Sequence, residues 1–238
     1  NPATAAACGY ETRTIPSTKE GTVDVDAFKG MLNEDVAAIM LTNPNTCGLF
    51  EPRAGEIADA LHKAGAYFYC DGANFNALVG RVRPADFGVD VMHFNLHKTF
   101  STPHGGGGPG CGPIAVSEEL GRFLPVPRIV KEGNSFKRIM DDKDSIGRLK
   151  GFNGQFGMAV RALAYMMSHG GDGLKQVAED AVLNANYILS QLKSDYHVPF
   201  PGTCMHECLL TDKLQKEKGI STMEIAKTLI EHGIHPMT

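Results

Sequence analysis

The sequence predicts an α/β fold built on a mostly parallel sheet with helices on its faces. Short apolar runs of strand length alternate with segments of helical periodicity over the first half of the chain, which is the pattern of strand-helix-strand units. The runs are apolar on both faces, as expected of strands buried between two helical layers. With 238 residues, of which 42% are hydrophobic and 21% charged, the chain can form a substantial core, so we expect one medium-sized domain and part of another.

Residues 1–122 are assigned to the larger domain because they contain four predicted strands and a clear helix. The strands are apolar or aromatic-rich runs: Asp35–Thr42, Ala66–Asp71, Asp90–His97 and Gly112–Val116. Between the first two strands, Ala54–Gly65 has apolar residues at helical spacing, and Gly65 is a typical helix end. No obvious helix separates the last two strands, which allows a mixed rather than a wholly parallel sheet.

Residues 123–150 are predicted to be an extended connector, since they are polar, contain prolines and show little periodicity. Residues 151–238 are predicted to form linking helices and an incomplete smaller α/β domain. The elements expected there are a helix ending at Gly170, a long helix over Gly173–Lys193, a strand over Thr203–Leu210 and a helix from Ser221 to Gly233. Because the chain opens without methionine and stops before this domain closes, we expect it to be a piece of a longer polypeptide.

The composition argues against several classes of protein. A net charge of -4, a pI near 6.1 and the lack of a basic run give no reason to expect a nucleic-acid partner. No apolar run reaches membrane-spanning length, and no secretory signal is present. The six cysteines are scattered, which is typical of reduced, cytosol-like thiols. Cys204–Cys208 could be considered a zinc site, but alternation in this segment favours a strand and no second ligand pair stands at a recognisable spacing.

Three predicted loops leave the carboxyl ends of strands, where ligands bind in open α/β sheets. They are Thr42–Thr46, Cys70–Asn76 and the stretch from Asn95 to Gly108. The third contains Lys98 followed by Gly105–Gly108. A Walker phosphate loop requires glycines before the lysine and a helix after it, and the Rossmann fingerprint requires a helix after its glycines. Neither pattern matches this stretch.

A lysine that forms a Schiff base is the alternative. Such a lysine bonds the aldehyde of pyridoxal phosphate, and an acid is then needed to keep the pyridine nitrogen protonated. Asp71 ends the strand that lies one strand-helix-strand unit before Lys98, and Gly72 and Ala73 leave room for a flat ring. Taken singly, the aspartate is an ordinary turn residue and the lysine an ordinary solvated side chain. Their placement at consecutive strand ends favours the cofactor interpretation.

Four segments resemble one family in particular. DGANFNALVG, HFNLHKTFSTPHGGGGPGCGPIAV, VLNANYI and HECLL are similar to the glycine decarboxylases, the P-proteins of the glycine cleavage system. The resemblance extends over essentially the whole chain and corresponds to the C-terminal half, or to the second subunit where the enzyme is split. It implies a fold-type-I pyridoxal-phosphate-dependent transferase-like large domain and a truncated small domain.

The resemblance also implies an activity and partners. The activity is pyridoxal-phosphate-dependent decarboxylation of glycine, with transfer of the aminomethyl group to the lipoyl arm of the H-protein. The partners are glycine, the lipoylated H-protein and the N-terminal half or other subunit of the P-protein. The compartment is the cytoplasm in a bacterium or the mitochondrial matrix in a eukaryote. Another fold-type-I enzyme, a cysteine desulfurase-like lyase or an aminotransferase, is the alternative.

Individual residue roles follow from the resemblance. Lys98 is implied to carry the cofactor and Asp71 to pair with the pyridine nitrogen. The residues implied to lie near the cofactor are Ala73, His97 and Asn95, and those implied to line the pocket are Asn43, Thr46 and His104. Core roles for His97 and Asn95, and turn roles for Asn43 and Thr46, remain open. The helix-start loop that holds the phosphate in fold-type-I enzymes is not recognisable upstream, so we expect the isolated chain to bind the cofactor weakly or not at all.

Overall fold

A four-stranded mixed sheet forms the framework of the first half of the chain in the computed structural model, which describes residues 1–151 and 154–236. Its strands are β1 (Ala38–Thr42), β2 (Tyr67–Gly72), β3 (Val91–Phe94) and β4 (Ile114–Val116). They are ordered β1-β2-β3-β4, and only the β3–β4 pairing is antiparallel. The four predicted strands and the mixed sheet are therefore confirmed.

The helices surround this sheet or extend beyond it. They are α1 (Pro2–Ala7), α2 (Val25–Met31), α3 (Ala54–Lys63), α4 (Leu96–Thr99), α5 (Phe156–Leu192), α6 (Lys213–Lys216) and α7 (Thr222–Glu231). Single 3-10 turns lie at Phe75–Ala77, Pro84–Phe87, Gly105–Gly107 and Glu119–Phe123. No helix within the described ranges is long and apolar enough to cross a membrane.

The main core lies between the sheet and helices α2 and α3. Ile57 and Leu61 of α3 are fully buried against Phe68 and Cys70, alternate residues of β2. The predicted helix is confirmed, and it ends as expected, because Gly65 has φ +76° and turns the chain into β2. This packing fixes β2 and β3, the two strands that lead into the predicted site.

Helix α5 is broken where the sequence predicts a helix end. Gly170 has φ 62° and ψ -175°, so the chain changes direction there although helical hydrogen bonding resumes at once. On the sheet side α5 buries the small residues Ala162 and Ala178, which pack with Leu96 and Phe100 beside α4. Small side chains at these positions let the helix approach the loop that carries Lys98.

The predicted connector contains a β-hairpin that was not expected from the sequence. Strands β5 (Arg128–Glu132) and β6 (Ser135–Ile139) pair antiparallel around a two-residue turn, in which Gly133 has φ +59°. The apolar side chains of this hairpin are largely exposed, Ile129 at 63% and Phe136 at 73%. Because the hairpin has no buried face, its sequence lacks the contrast between apolar and polar positions that indicates a strand.

The predicted strand at Thr203–Leu210 is wrong. Its backbone is irregular, and the adjacent Thr211 forms only an isolated bridge to His197. Backbone groups of the segment are instead bound by a side chain and a loop: Cys204 N–H donates to Asn186 Oδ1 at 3.0 Å and Met205 N–H to the carbonyl of Gly48 at 2.7 Å. Further on, the helix expected from Ser221 is present as α7, which begins with a capping box formed by Ser221 and Glu224. Residues 152, 153, 237 and 238 of the predicted small-domain region lie outside the described residues.

Candidate active site

The three strand-end loops are joined by side-chain hydrogen bonds. Asn74 Nδ2 donates to the carbonyl of Pro44 at 3.0 Å, which ties the loop after β2 to the loop after β1. Thr99 Oγ1 donates to Asn76 Oδ1 at 2.6 Å, which ties α4, after β3, to the loop after β2. Asn74 and Thr99 are both buried. The predicted gathering of the loops at one sheet edge is thus held by buried polar contacts that resist separation.

Asp71 lies at the carboxyl end of β2 and is held on both carboxylate oxygens. The backbone N–H of Ala73 donates to Oδ1 at 2.9 Å, and the side-chain amide of Asn1 donates to Oδ2 at 2.9 Å. The side chain is 16% exposed. The next residue must be small, because a Cβ on Gly72 would overlap the carbonyl oxygen of His93 on the adjacent strand. Ala73 is half-buried and presents only a methyl group beside the carboxylate.

Two further residues at this edge were not identified from the sequence. His93 of β3 is the register partner of Asp71, and its Nε2 lies 3.5 Å from Asp71 Oδ1. Its Nδ1 lies 2.7 Å from the hydroxyl oxygen of Tyr69, two residues before Asp71. The Tyr69 and His93 rings stack with centroids 6.0 Å apart and planes 16° from parallel. Strand register brings these residues together, and register is not readable from spacing alone.

Lys98 lies on the four-residue helix α4, immediately after β3. The helix is anchored by the buried Leu96 and Thr99, while the Lys98 side chain is exposed. Asn95 caps the helix through its backbone, since its carbonyl accepts from the N–H groups of Lys98 at 3.1 Å and Thr99 at 3.3 Å. Its side chain makes no capping hydrogen bond. The fold therefore presents an amine on a short anchored turn next to the Asp71 strand.

His97 and His104 form an imidazole pair beside Lys98. Their ring centroids are 4.6 Å apart and the planes are nearly perpendicular. Burial, followed by the nearby charges of His104 and Lys98, lowers the pKa of His97 below its usual 6.5. His104 is exposed, and its Nδ1 accepts the N–H of Gly106 at 3.2 Å. The pair places two imidazole rings at the start of the glycine-rich loop.

The first loop is braced by its asparagines. Asn43 is fully buried, and its Oδ1 accepts the N–H of Glu51 at 3.0 Å. Asn45 Oδ1 accepts the N–H groups of Cys47 and Leu49 at 2.9 and 3.1 Å, so it organises the turn. Thr46 is exposed on the same turn. Asn43 therefore lies in the core beneath the loop, and Thr46 is the residue of this pair that reaches its surface.

A segment from the second half of the chain completes the site. A Cβ on Gly48, which has φ +75°, would overlap the carbonyl oxygen of Glu207, so the first loop lies directly against this segment. The His206 side chain is 9% exposed, and its Nε2 is 3.2 Å from Glu207 Oε1. This approach is not a hydrogen bond, so Glu207 Oε1, like His206 Nδ1, has no hydrogen-bond partner among the described residues. The alternation that predicted a strand gave no signal for this role.

The positive charge of Lys98 affects the pKa values of His206 and Glu207. Burial, reinforced by Lys98, lowers the pKa of His206 below 6.5. Burial raises the pKa of Glu207, and Lys98 opposes that rise. The charge of Lys98 therefore reaches both side chains, and each has a buried polar atom without a hydrogen-bond partner among the described residues.

The cysteines and possible metal ligands form no comparable site within the described ranges. No group of three or more histidine, cysteine, aspartate or glutamate side chains there could hold a metal ion, the Cys204–Cys208 segment included. All six thiols are free. Burial raises the pKa of Cys70, beside Asp71, to about 11, so this thiol remains protonated and unreactive.

Comparison with known proteins identifies the family. The family model for aminotransferase class-V matches residues 1–132, more than half of the chain. The chain belongs to the class-V aminotransferase family. This assignment confirms the predicted fold class, because the matched residues include all four strands and the loops that carry Asp71 and Lys98. A second model, glycine dehydrogenase C-terminal domain, matches residues 177–238.

The chain is also similar to individual curated proteins. The chain is 58% identical, over its whole length, to the probable glycine dehydrogenase (decarboxylating) subunit 2 of Caulobacter vibrioides, and it covers 47% of that protein. It thus spans about half the length of the curated relatives it matches. These matches confirm the resemblance to the glycine decarboxylases that the motifs indicate.

Solved structures agree on the fold. A crystal structure of glycine decarboxylase (P-protein) in inhibitor-bound form superimposes with a TM-score of 0.80 at 22% identity, covering 99% of this chain and 54% of that one. A cysteine desulfurase from Thermococcus onnurineus superimposes at 0.64 with 16% identity, covering 97% of this chain and 56% of that one. The better superposition is with the glycine decarboxylase, and at these identities both comparisons speak for the fold alone.

Proposed function

We propose that this chain supplies the covalent lysine and the ring-nitrogen carboxylate of a pyridoxal-phosphate-dependent glycine decarboxylase. One observation carries the proposal. Asp71 and Lys98 stand at the ends of neighbouring parallel strands in a class-V aminotransferase sheet, in a chain 58% identical to a glycine dehydrogenase subunit. Membership of the family supports the use of the cofactor, and the identity to that relative supports glycine as the substrate.

The residues at this edge fit pyridoxal phosphate. A flat, aldehyde-bearing pyridine requires an amine, a carboxylate and space for its ring. Here these are the exposed Lys98, Asp71 with a hydrogen bond to each carboxylate oxygen, and the small residues Gly72 and Ala73. Lys98 would hold the cofactor covalently through Nζ, and Asp71 would accept a hydrogen bond from the protonated ring nitrogen. When bound, pyridoxal phosphate supplies an electron sink for the bond that breaks in the substrate.

The remaining predicted residues are assigned supporting roles. His97 and Asn95, next to Lys98 in the chain, would orient the cofactor from the side of α4, and Ala73 would lie against its ring. Thr46 and His104, both exposed, would line the entrance to the pocket. Asn43 is fully buried, so it would act only through the loop that it braces.

The proposed reaction of the complete enzyme is decarboxylation with group transfer. The bond from the α-carbon of glycine to its carboxylate breaks and CO2 leaves. The aminomethyl carbon then bonds to one sulfur of the lipoyl disulfide on the H-protein, and the other sulfur is reduced to a thiol. The protein's main contribution is to orient the carboxylate that leaves, which is a matter of positioning. The subunit 2 designation of the relatives supports a second P-protein subunit as a further partner.

The proposal is tested by exchange of the glycine carboxyl group with labelled bicarbonate in the complete enzyme, with the lipoylated H-protein present. We expect exchange that depends on glycine and on added pyridoxal phosphate. Release of sulfide from cysteine, or transfer of an amino group to a 2-oxo acid, in place of this exchange would overturn the assignment. The isolated 238-residue chain is expected to bind the cofactor more weakly than the complete enzyme, as titration with pyridoxal phosphate would measure.

A further inference from the structure

Strand register places Tyr69, Asp71 and His93 on one face of the sheet. Asp71 and His93 are paired across parallel strands β2 and β3, so their side chains point to the same side. Tyr69 precedes Asp71 by two residues and therefore shares that side. The distances are 2.7 Å from the Tyr69 hydroxyl to His93 Nδ1 and 3.5 Å from His93 Nε2 to Asp71 Oδ1.

The hydroxyl of Tyr69 contacts one nitrogen of the His93 ring. Burial, followed by the negative charge of Asp71, raises the pKa of Tyr69, so its hydroxyl stays protonated. A protonated phenol can donate or accept a hydrogen bond, and the ring nitrogen within its reach is Nδ1. When the phenol is the donor, the imidazole N–H is on Nε2, the nitrogen that lies 3.5 Å from Asp71 Oδ1.

We propose that His93 is a positioning residue for the Asp71 carboxylate and that Tyr69 sets its tautomer. In this arrangement Tyr69 O–H donates to Nδ1, and the N–H dipole at Nε2 lies 3.5 Å from Asp71 Oδ1, the oxygen that accepts the Ala73 N–H. The carboxylate is thereby fixed in one rotamer by groups of this chain. The inference deepens the proposed function and rests on it, since it concerns the residue proposed to hold the cofactor's ring nitrogen.

The close approach of the strands supports this role. Gly72 directly follows Asp71, and any Cβ there would overlap the backbone carbonyl of His93. A side chain at position 72 would therefore push β3 away and lengthen the contact between His93 and Asp71. Both side chains are largely buried, His93 at 21% and Asp71 at 16% exposure, so water competes little with the contact.

A second histidine–aspartate pair in the chain provides a matched control. His62 Nε2 lies 2.9 Å from Asp90 Oδ2, and Asp90 directly precedes β3, at the opposite end of the sheet from Asp71. The His62 side chain is 43% exposed. It has the same chemistry as His93 but lies away from the proposed cofactor.

Two substitutions of His93 separate the effect of its N–H donor from the effect of its aromatic ring. His93→Phe keeps an aromatic ring against Tyr69 and removes the N–H, whereas His93→Gln restores an N–H donor without the ring. In the complete enzyme we expect His93→Phe to raise the dissociation constant of pyridoxal phosphate about tenfold, the effect of losing one polar contact to a charged group. We also expect the visible absorption of the bound cofactor to change. His93→Gln should recover most of both properties, and His62→Phe should leave both unchanged.

The outcomes distinguish the inference from the proposed function. If Asp71→Asn changes the cofactor spectrum but His93→Phe does not, or if His93→Gln is as impaired as His93→Phe, the role of His93 is overturned. An effect of His62→Phe equal to that of His93→Phe would also overturn it, since the response would then be global. If Asp71→Asn itself leaves the spectrum and affinity unchanged, the proposed role of Asp71 fails first.

A measurement without cofactor tests the tautomer directly. Solid-state 15N NMR of the histidine-labelled complete enzyme, assigned by difference from His93→Gln, reports which nitrogen of His93 is protonated. We expect Nε2–H in the wild type and a mixture of tautomers in Tyr69→Phe, where Nδ1 loses its donor. Nδ1–H in the wild type, or an unchanged signal in Tyr69→Phe, would contradict the assignment.

Discussion

Asp71 and Lys98 stand on adjacent strands in contrasting surroundings. Each oxygen of the Asp71 carboxylate accepts a hydrogen bond at 2.9 Å from another part of this chain, and His93 approaches one of them. Lys98 has neither an ion pair nor a side-chain hydrogen bond among residues 1–151 and 154–236. His206 and Glu207, whose pKa values respond to the charge of Lys98, have buried polar atoms that also lack partners there.

This difference indicates that the Asp71 side and the Lys98 side of the site are stabilised in different ways. The Asp71 carboxylate is preorganised by hydrogen bonds from within this chain. The lysine side instead carries unsatisfied polar atoms, which cost stability unless a ligand or another part of the enzyme binds them. We therefore expect substitutions near Asp71 to affect both structure and function, and substitutions near His206 to affect function more than structure.

The largest expected effect is that of Lys98→Ala. Removing the only amine proposed to bond the cofactor should abolish covalent attachment and lower glycine–bicarbonate exchange by more than about 10³-fold. Loss of the visible absorption of bound pyridoxal phosphate measures the attachment. Lys63→Ala, an exposed lysine at the end of α3, is the control and should behave as wild type. Undiminished exchange in Lys98→Ala would refute the assignment of the lysine.

Asp71→Asn is expected to have the next largest effect. The amide is nearly isosteric and can still accept from the Ala73 N–H, but it has no negative charge to stabilise a protonated ring nitrogen. Exchange should fall by about 10²- to 10³-fold, typical of removing one preorganised electrostatic contact. Asp86→Asn, a largely exposed carboxylate that pairs with Arg83 at 2.8 Å, should leave the rate unchanged. Equal rates for the two variants would mean that Asp71 has only a structural role.

The part of the site around Asp71 and Lys98 could be predicted because its signals are local. A strand run ending in Asp71, followed one unit later by Lys98, is visible in the order of residues, and parallel pairing then brings the strand ends together. His93 and Tyr69 could not be found in this way. Their contact depends on a register between strands, and a shift of one residue would have pointed His93 to the other face.

In the second half of the chain local patterns were misleading. Thr203–Leu210 alternates as a strand does, yet it forms none, because its backbone groups bind Asn186 and the loop at Gly48. The β5–β6 hairpin shows the opposite error. Its strands are present, but apolar residues such as Phe136 are exposed, so the sequence shows no alternation of apolar and polar positions. Alternation predicts a strand only where a partner strand and a buried face both exist. The role of His206 depends on such a long-range contact and was missed for the same reason.

Gly48→Ala tests the contact that brings His206 and Glu207 to the site. The substitution combines a positive φ of 75° with overlap of the Glu207 carbonyl. Gly133→Ala has a similar φ of 59° but open space around the Cβ, so it isolates the backbone strain. We expect a loss of about 1 to 2 kcal/mol in unfolding free energy for Gly133→Ala and an additional loss of about 1 to 3 kcal/mol for Gly48→Ala. Urea unfolding measures both; equal losses would show that residues 205–208 do not rest on the loop.

His206→Leu is expected to have the smallest effect on stability. Leucine removes a buried nitrogen that lacks a partner, so the unfolding free energy should stay within about 1 kcal/mol of wild type or rise. Asn74→Leu is the matched comparison, because it removes an amide that is bonded to Pro44 and should cost about 1 to 3 kcal/mol. Glycine–bicarbonate exchange should nevertheless fall in His206→Leu. A variant that is destabilised as much as Asn74→Leu would place His206 among the satisfied core residues.

The same variant has a defined pH signature. The pKa of His206 is lowered in the folded protein from 6.5, so as pH falls below 6.5 the unfolded chain binds a proton there before the folded chain does. Stability is therefore lost as pH drops from 6.5 toward the folded-state pKa, and it is fully present above 6.5. His206→Leu cannot bind this proton, so its unfolding free energy should decline less steeply across that window. Parallel slopes for wild type and variant in urea unfolding would show that burial does not hold His206 neutral beside Lys98.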